Sequence, residues 1–321
     1  MNAVRVHRPG GPEGLVYEEI PDATAGPGQV VVQVEAIGLN YAEIGRRRNA
    51  DPASLPGPMG GEAAGTVVEV GEGVTDVAVG DRVAFAGVTG AYAERVAIRS
   101  GAAIPVPDSV TSKQAAAAIL QGMTAHYLAL DAFPLKQGDT CLVHAAAGGV
   151  GLLLCQVAKL KGARVIGTVS TEEKAQAARE AGADEVILYT QVDFAEEVKR
   201  LTDGRGVDVI YDAVGQTTFL KGFDCLRPRG MMVSYGASSG AIAPLDTSIL
   251  SRGSYFLTRA GMAAYTAGRT ELHKRGTEVL GWVGSGDLKV HVCAEYPLAE
   301  AGAAQTALEA RETIGKVLLI P

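Results

Sequence analysis

The alternation of apolar and polar positions changes character once along the chain, near residue 122. Before that point, short β-rich runs at 29–36, 65–70, 82–86 and 92–98 are separated by Gly57-Pro58, Gly71-Glu72-Gly73 and Gly80-Asp81. Turn signals between extended runs predict a compact, mostly β domain. Beyond it, strands alternate with helices. Strands are predicted at 140–144, 164–169, 185–188, 207–214 and 231–235, with helices at 150–161 and 194–201. The first of these helices has Val150, Leu153, Leu154, Val157 and Ala158 on one stripe and stops before Gly162, placed as a left-handed C′ residue. Ser170-Thr171-Glu172-Glu173 reads as a capping box that opens a helix closing at Gly182. Pairs such as Val165-Ile166 and Val209-Ile210 are apolar on both faces, as in a parallel sheet covered on both sides. The last segment predicts a helix at 271–280, a strand at 289–293, a helix at 298–310 and an apolar strand at 317–320. That final strand must pair somewhere, and its expected return to the first domain makes that domain discontinuous.

Composition narrows the class. At 321 residues the chain is long enough for two domains of about 150 residues each. Glycine contributes 41 residues, about 13% against an average near 7%, without a G-X-Y period or raised proline. This excludes collagen-like and low-complexity chains and points to tight turns and close backbone approaches. Aromatic residues are only 5% and the net charge is −7, so neither a stacking platform for single-stranded nucleic acid nor a polyanion partner is expected. The densest basic run, Arg46-Arg47-Arg48, lies beside Glu43 and Asp51 and reads as a solvated patch, with a phosphate or partner contact as the other reading. Cys141, Cys155, Cys225 and Cys293 lack C-x-x-C spacing and read as buried free thiols of a reducing compartment. Residues 1–14 have no apolar signal core, and His144, Gln156 and a Gly-rich turn interrupt the apolar stretch 141–158. A cytoplasmic protein without a membrane span is therefore expected.

The strongest chemical signal is Ala145-Ala146-Ala147-Gly148-Gly149-Val150-Gly151, between a predicted strand and a predicted helix. Gly148 and Gly151 match the second and third glycines of G-x-G-x-x-G, and Ala146 replaces the first. Small residues there let the backbone approach a pyrophosphate, and the helix N-terminus supplies N–H groups and a positive dipole. The second strand ends in Gly167-Thr168-Val169-Ser170-Thr171, without the acid that NAD binders place there for the ribose 2′-OH. Ser170 and Lys174, four apart, suit a 2′-phosphate, which points to NADPH; the same residues also read as a helix cap and a surface lysine. The five histidines are scattered and no Cys/His cluster has ligand spacing, so no metal is expected. His144 reads as a satisfied core or turn histidine.

These motifs resemble the zinc-independent, zeta-crystallin-like quinone oxidoreductases of the medium-chain dehydrogenase/reductase superfamily. The markers run along essentially the whole chain: Gly38-Leu39-Asn40-Tyr41, Gly60-Gly61-Glu62-Ala63-Ala64-Gly65, Val79-Gly80-Asp81-Arg82-Val83, Gln121-Gly122-Met123-Thr124-Ala125, the glycine loop, and Gly315-Lys316. Zinc-bearing relatives have a His at the position of Gly61 and a Cys ligand near Asn40. The resemblance implies an α/β chain, with a doubly wound Rossmann domain at 123–261 and a discontinuous, mostly β GroES-like catalytic domain at 1–122 and 262–321. It implies a cofactor cleft between domains and a homodimer joined through the edges of the nucleotide-domain sheets. Asn40, Gln121 and Thr124 would lie near the nicotinamide and substrate, with Asn40 and Thr124 polarising the acceptor oxygen and Tyr41 a possible proton donor. Gly148, Gly149 and Val150 would hold the pyrophosphate, and Ser170, Lys174 and Tyr189 the 2′-phosphate. Tyr235, Gly236, Ser238, Leu257, Arg259 and Arg311 would line the cofactor. The implied activity is NADPH-dependent quinone reduction. Reduction of 2-alkenal or enone C=C bonds, or a non-catalytic NADPH-sensitive binding or structural role, is the alternative. The family often carries a Gly-x-Tyr where this chain has Arg48-Asn49-Ala50-Asp51, a departure that concerns the substrate pocket.

Overall fold

The β-rich runs and the α/β alternation both become regular elements. A computed structural model describes residues 1–321, which divide into one unit of Met1–Met123 with Thr266–Pro321 and another of Thr124–Tyr265. In chain order the first part contains β1 (Asn2–Val6), β2 (Leu15–Glu19), β3 (Gln29–Gly38), α1 (Tyr41–Arg48), β4 (Gly57–Pro58), β5 (Glu62–Val70), β6 (Arg82–Ala86), β7 (Arg95–Arg99), β8 (Ile104–Pro105) and α2 (Ser112–Tyr127). Then come β9 (Thr140–His144), α3 (Gly149–Leu160), β10 (Arg164–Val169), α4 (Glu172–Glu180), β11 (Glu185–Leu188), α5 (Phe194–Leu201) and β12 (Val207–Asp212). They are followed by the single turn α6 (Phe219–Gly222), β13 (Leu226–Ser234), the turn α7 (Ser248–Ser251), β14 (Phe256–Arg259) and the turn α8 (Met262–Tyr265). The chain finishes with α9 (Arg269–Ser285), β15 (Val292–Pro297), α10 (Ala301–Glu309) and β16 (Lys316–Ile320).

Thr124–Tyr265 carries a six-stranded, wholly parallel sheet in the order β11-β10-β9-β12-β13-β14. This is the doubly wound order in which strand sequence reverses beside the first strand. Leu142, Ile166, Ile210 and Met232 pack on one face with Phe194 and Val198 of α5. Cys141, Val143, Val165, Val209 and Tyr211, which alternate with them, are also buried, so neither face is left to solvent.

The other unit holds a three-stranded sheet, β2-β1-β4, and a seven-stranded sheet, β15-β16-β3-β5-β6-β8 with β7 also on β3. The returning strand β16 is parallel to β15 and antiparallel to β3, with Leu318 opposite Gly38. Val30, Val32, Ile37, Phe85 and Leu319 are among the residues of its core.

Several boundaries differ from the pattern, each for a local reason. β12 stops at Asp212, whose Oδ1 accepts the N–H groups of Val214 and Gly215 at 2.7 and 3.0 Å and turns the chain. The strand expected at 289–293 forms at Val292–Pro297, because the His291 carbonyl takes the Lys316 N–H and the parallel ladder with β16 begins at Val292. β7 begins at Arg95, since Tyr92 and Ala93 pair instead with Met59 and Ala3. α9 extends to Gly286, a left-handed residue with φ +83°. The helix expected from Leu298 starts as a 3₁₀ turn, and α10 proper begins at Ala301. The Ala-rich α2 was absent from the predicted elements: Ala115, Ala116, Ala117, Ala118 and Ile119 are all buried, so no polar stripe reveals the helical period.

Candidate active site

In Thr124–Tyr265, polar side chains line up across the C-terminal ends of the parallel strands. Thr168 of β10 is opposite His144 of β9, and Ser234 of β13 is opposite both Asp212 of β12 and Arg259 of β14. Thr168, His144, Asp212 and Ser234 are at most 2% exposed. His144 Nδ1 shares a hydrogen bond with Thr168 Oγ1 at 2.9 Å, and Arg259 Nη1 donates to Ser234 Oγ at 3.0 Å. Burial holds His144 below the usual imidazole range, against the pull of Asp212, so the ring is neutral at pH 7. His144 is therefore only half satisfied, contrary to expectation: Nε2 is buried without a partner, and the ring meets Phe194 edge-on. This edge of an α/β sheet is where the fold places ligands.

The glycine loop follows directly. Ala145 has φ +54°, a strained value for a residue with a Cβ, and its carbonyl accepts the Gly148 N–H at 2.9 Å. Gly148 is the N-cap of α3, and Gly149 and Val150 form its first turn, so their N–H groups are the orphan donors of a helix start. At Gly151 a Cβ would lie 2.7 Å from the Ala146 oxygen, so the tight turn admits only glycine there. A twelve-residue helix opening on such a turn fits a dinucleotide pyrophosphate.

Register groups the adenosine-end residues. Val169 is opposite Leu188, so Ser170 and Tyr189 follow the tips of neighbouring strands, and Thr190 Oγ1 donates to the Ser170 carbonyl at 3.0 Å. The helix cap is Thr171, whose hydroxyl accepts the Lys174 N–H at 3.3 Å. This corrects the expected box. Ser170 precedes the cap and Lys174 is in the first turn, so the two are not on one helix face. Ser170's hydroxyl is thereby released from capping. Of the nearby acids, Glu172 turns along α4 to Arg179 at 2.7 Å.

Tyr235, Gly236 and Ser238 follow β13. The Gly236 carbonyl accepts from Arg259 at 3.4 Å, and a Cβ on Gly236 would be 2.9 Å from Ala213 Cα. Desolvation pushes the Tyr235 phenol well up. Leu257 and Arg259 line a cleft of about 500 Å³ with Ser234 and Ala237. Thr124, buried on α2, shares a side-chain hydrogen bond with Tyr127, and the Tyr265 ring stacks on Tyr127. Neither tyrosine belonged to the expected set; their separation in sequence hides the pair.

In the other unit, Asn40 caps the start of α1 and is held on every side. Its Nδ2 donates to Gly38 O at 3.0 Å and Glu62 Oε2 at 2.9 Å, while Oδ1 accepts from Lys316 Nζ at 3.0 Å and Gln121 Nε2 at 3.3 Å. Both amide hydrogens are thus committed to protein. The expected hydrogen bond from Asn40 to an acceptor oxygen is not available in this arrangement. Lys316 and Glu62, 1% and 0% exposed, form an ion pair at 2.5 Å, and Glu62 Oε1 also takes the Leu120 N–H at 2.6 Å. Gln121 Oε1 is buried without a partner, an acceptor facing no donor of this chain. Beside them, the buried Glu43 accepts from Tyr92 Oη at 2.5 Å, Gly61 N–H at 2.9 Å and Asn40 N–H at 3.1 Å. Desolvation nevertheless pushes its carboxyl up. Tyr41 opens α1, half-buried, and Arg311 follows α10 with φ +59°.

Two expectations about charge and thiols are corrected here. Arg47 is fully buried, donating to Gly10 O, Gln305 and Glu309, so the middle of the basic run is a structural strut between α1 and α10. Arg48 shares Glu309 at 3.2 Å. Cys293 is exposed, unlike the other three cysteines. No three His, Cys, Asp or Glu side chains come together as a metal-ligand set. No helix is long and apolar enough to cross a membrane.

The chain matches two family models, the alcohol dehydrogenase GroES-like domain over residues 26–108 and the zinc-binding dehydrogenase over 149–272. It is 42% identical to quinone oxidoreductase 1 of Escherichia coli, with 99% of each chain covered. The solved structure of the E. coli quinone oxidoreductase complexed with NADPH superposes with a TM-score of 0.97 at 41% identity, covering 100% of both chains. A 2-haloacrylate reductase from a Burkholderia species is 41% identical, covering 99% of this chain and 98% of its own. The chain therefore belongs to the quinone oxidoreductase family of the medium-chain dehydrogenase/reductase superfamily.

Proposed function

We propose that this protein is an NADPH-dependent oxidoreductase that reduces quinones without zinc. The observation that carries the reading is the adenosine end of the sheet. Ser170 and Tyr189 follow adjacent strand tips, Lys174 is in the first turn beside them, and no carboxylate occupies the tip of β10. A hydroxyl, an ammonium and a helix start suit a 2′-phosphate, and the carboxylate that typically holds a bare ribose 2′-OH is absent. The Gly148–Gly151 turn fits the pyrophosphate, and Tyr235, Gly236, Ser238, Leu257, Arg259 and Arg311 are assigned to the rest of the cofactor.

When bound, NADPH supplies a hydride; with one proton from solvent this converts a quinone to a hydroquinone. Thr124, whose side chain shares a hydrogen bond with Tyr127, is assigned to the acceptor oxygen. Gln121 Oε1 offers the complementary acceptor to a ligand N–H or O–H. Asn40, Glu62 and Lys316 hold Gln121 in place. Tyr41 is a secondary candidate for proton delivery.

A homodimer is proposed through β14, an edge strand paired only on one side, with Phe256 59% and Leu257 38% exposed. A cytoplasmic location is proposed from the free cysteines. The test is oxidation of NADPH and of NADH with ortho- and para-quinones. Quinone-dependent turnover that strongly prefers NADPH is expected; turnover only with 2-alkenals or enones would replace the reading with C=C reduction. That second reading draws on the missing tyrosine at 48–51 and on the likeness to a 2-haloacrylate reductase.

A further inference from the structure

The strand order of Thr124–Tyr265 reverses between β9 and β12, and Asp212 is the last residue of β12 at that crevice. Open α/β sheets bind their ligands outside the carboxyl ends of the strands at such a point. Asp212 is fully buried. Its Oδ1 accepts the N–H groups of Val214 and Gly215, and Thr218 Oγ1 lies 2.9 and 3.0 Å from its two carboxylate oxygens as a further donor. Its main-chain carbonyl accepts the N–H groups of Tyr235 and Gly236 at 2.9 and 3.3 Å. One residue thus holds the turn after its own strand through its side chain, and the turn after the neighbouring strand β13 through its backbone.

The two turns are also locked to each other. The N–H groups of Ser238 and Ser239 donate to the Ala213 and Val214 carbonyls at 3.1 and 2.9 Å. Ser239 Oγ donates to the Val214 carbonyl at 2.8 Å and accepts the Thr217 N–H at 3.1 Å. No space separates them: a Cβ on Gly236 would lie 2.5 Å from the Ala213 oxygen, and one on Gly215, at φ +87°, 2.9 Å from the Gly240 oxygen.

None of the hydrogen-bond partners of Asp212 is a cation, so its buried charge is costly to keep. A neutral Asn or Ser would be enough to turn the chain. What the carboxylate adds is strength, because charge-assisted hydrogen bonds are the stiffer clamp. A stiff clamp at a ligand-binding edge fixes the turns before the ligand arrives and spares it the cost of ordering them.

We propose that Asp212 is a positioning residue for the cofactor: through the turn at 213–215 and Ser239 it sets the turn at 235–238. It touches no reacting atom. The inference rests on the NADPH reading, in which Tyr235, Gly236 and Ser238 are cofactor residues, and it names what holds them. These turns are at the opposite side of the sheet's first strand from Ser170 and Lys174, so they serve the part of the cofactor that NADPH and NADH share.

The test compares the wild-type protein with Asp212→Asn, which keeps the shape and removes the charge, and with Ser239→Ala, which opens the clasp between the turns. Each variant is assayed well below its melting temperature. In Asp212→Asn, KM for NADPH and for NADH are both expected to rise about three- to tenfold, with kcat held within about twofold. Ser239→Ala should raise both by about threefold. A merely structural role would leave both KM values unchanged below melting, and that result overturns the proposal. So does a rise for NADPH alone, or a fall in kcat at constant KM. If Asp212→Asn does not fold, Ser239→Ala decides by the same criteria. If the wild type reduces no quinone, the functional reading fails separately, and calorimetric titration with NADPH decides the inference: weaker binding in the variants supports it, equal binding refutes it.

Discussion

The methyl group of Ala146 fits only because residue 167 has none: a Cβ built on Gly167 would lie 2.8 Å from Ala146 Cβ. The loop that departs from G-x-G-x-x-G at its first glycine is thus matched by a glycine on the neighbouring strand β10. Gly167→Ala is expected to destabilise the protein by about 1–3 kcal/mol. Ala146→Gly in the same chain should recover part of that loss, because the two sites share one space. Urea denaturation of the single and double variants measures the coupling.

Lys316 and Glu62 are buried together, and each also binds Asn40. Lys316→Met or Glu62→Leu alone is expected to cost about 3–5 kcal/mol, since one charge is left buried without its counter-charge. The double variant Glu62→Leu/Lys316→Met should lose less than the sum of two single changes. Additive losses in denaturation would contradict the pairing.

At the adenosine end, Lys174→Ala and Ser170→Ala are expected to raise KM for NADPH, by about tenfold or more for the lysine. KM for NADH should hardly move. Steady-state titration of both cofactors checks the sign; an equal rise for both would mean that Ser170 and Lys174 act on something other than the 2′-phosphate.

Thr124 and Asn40 are expected to separate kinetically. Thr124→Ala should lower kcat by about 10²–10³-fold if its hydroxyl polarises the acceptor in the transition state. Asn40→Ala should instead lower stability and disturb KM, because its amide serves Glu62, Lys316 and Gln121. Turnover and melting measured on both variants distinguish the roles.

Glu43 gives a pH signature. Its folded-state pKa lies above the unfolded value, so the folded protein keeps a proton that the unfolded chain releases. Its contribution is fully present below the unfolded glutamate range and is lost as pH rises through the folded value. Glu43→Gln should flatten that decline in urea midpoints taken from mild acid to neutral pH. A slope unchanged by the substitution would assign it to another group.

The first part of the parallel-sheet half was legible nearly to its bounds, whereas β13 starts five residues before its expected position and β14 was not predicted. β9, β10, β11 and α5 coincide with their predicted bounds, because short apolar runs between glycines leave few alternatives. The glycine loop was legible for the same reason. Elements decided by tertiary pairing were not: β15 is set by its ladder with β16, and α2 is buried along its Ala-rich stretch. The first turn of α4 shows the limit of a motif, since Ser170 and Thr171 are both good caps and backbone geometry selected Thr171. Nor can sequence tell which of three adjacent arginines goes inside; Arg47 does, because Gln305 and Glu309, some 260 residues later, are waiting for it. The Tyr127–Tyr265 stack is likewise invisible until the chain has folded.

The strand β16 sits between β15 and β3, and the whole of Thr124–Tyr265 intervenes before it in the chain. During synthesis, the C-terminal end of β3 waits without this neighbour while the parallel-sheet unit is made. Asn40 and Glu62 wait equally long for the ammonium of Lys316. The nucleotide-type unit can therefore close early on local strand–helix contacts, whereas the other completes only after a long-range return. A ribosome stalled just short of β16 would display one finished unit and one with an open sheet edge, a substrate for chaperones rather than an enzyme.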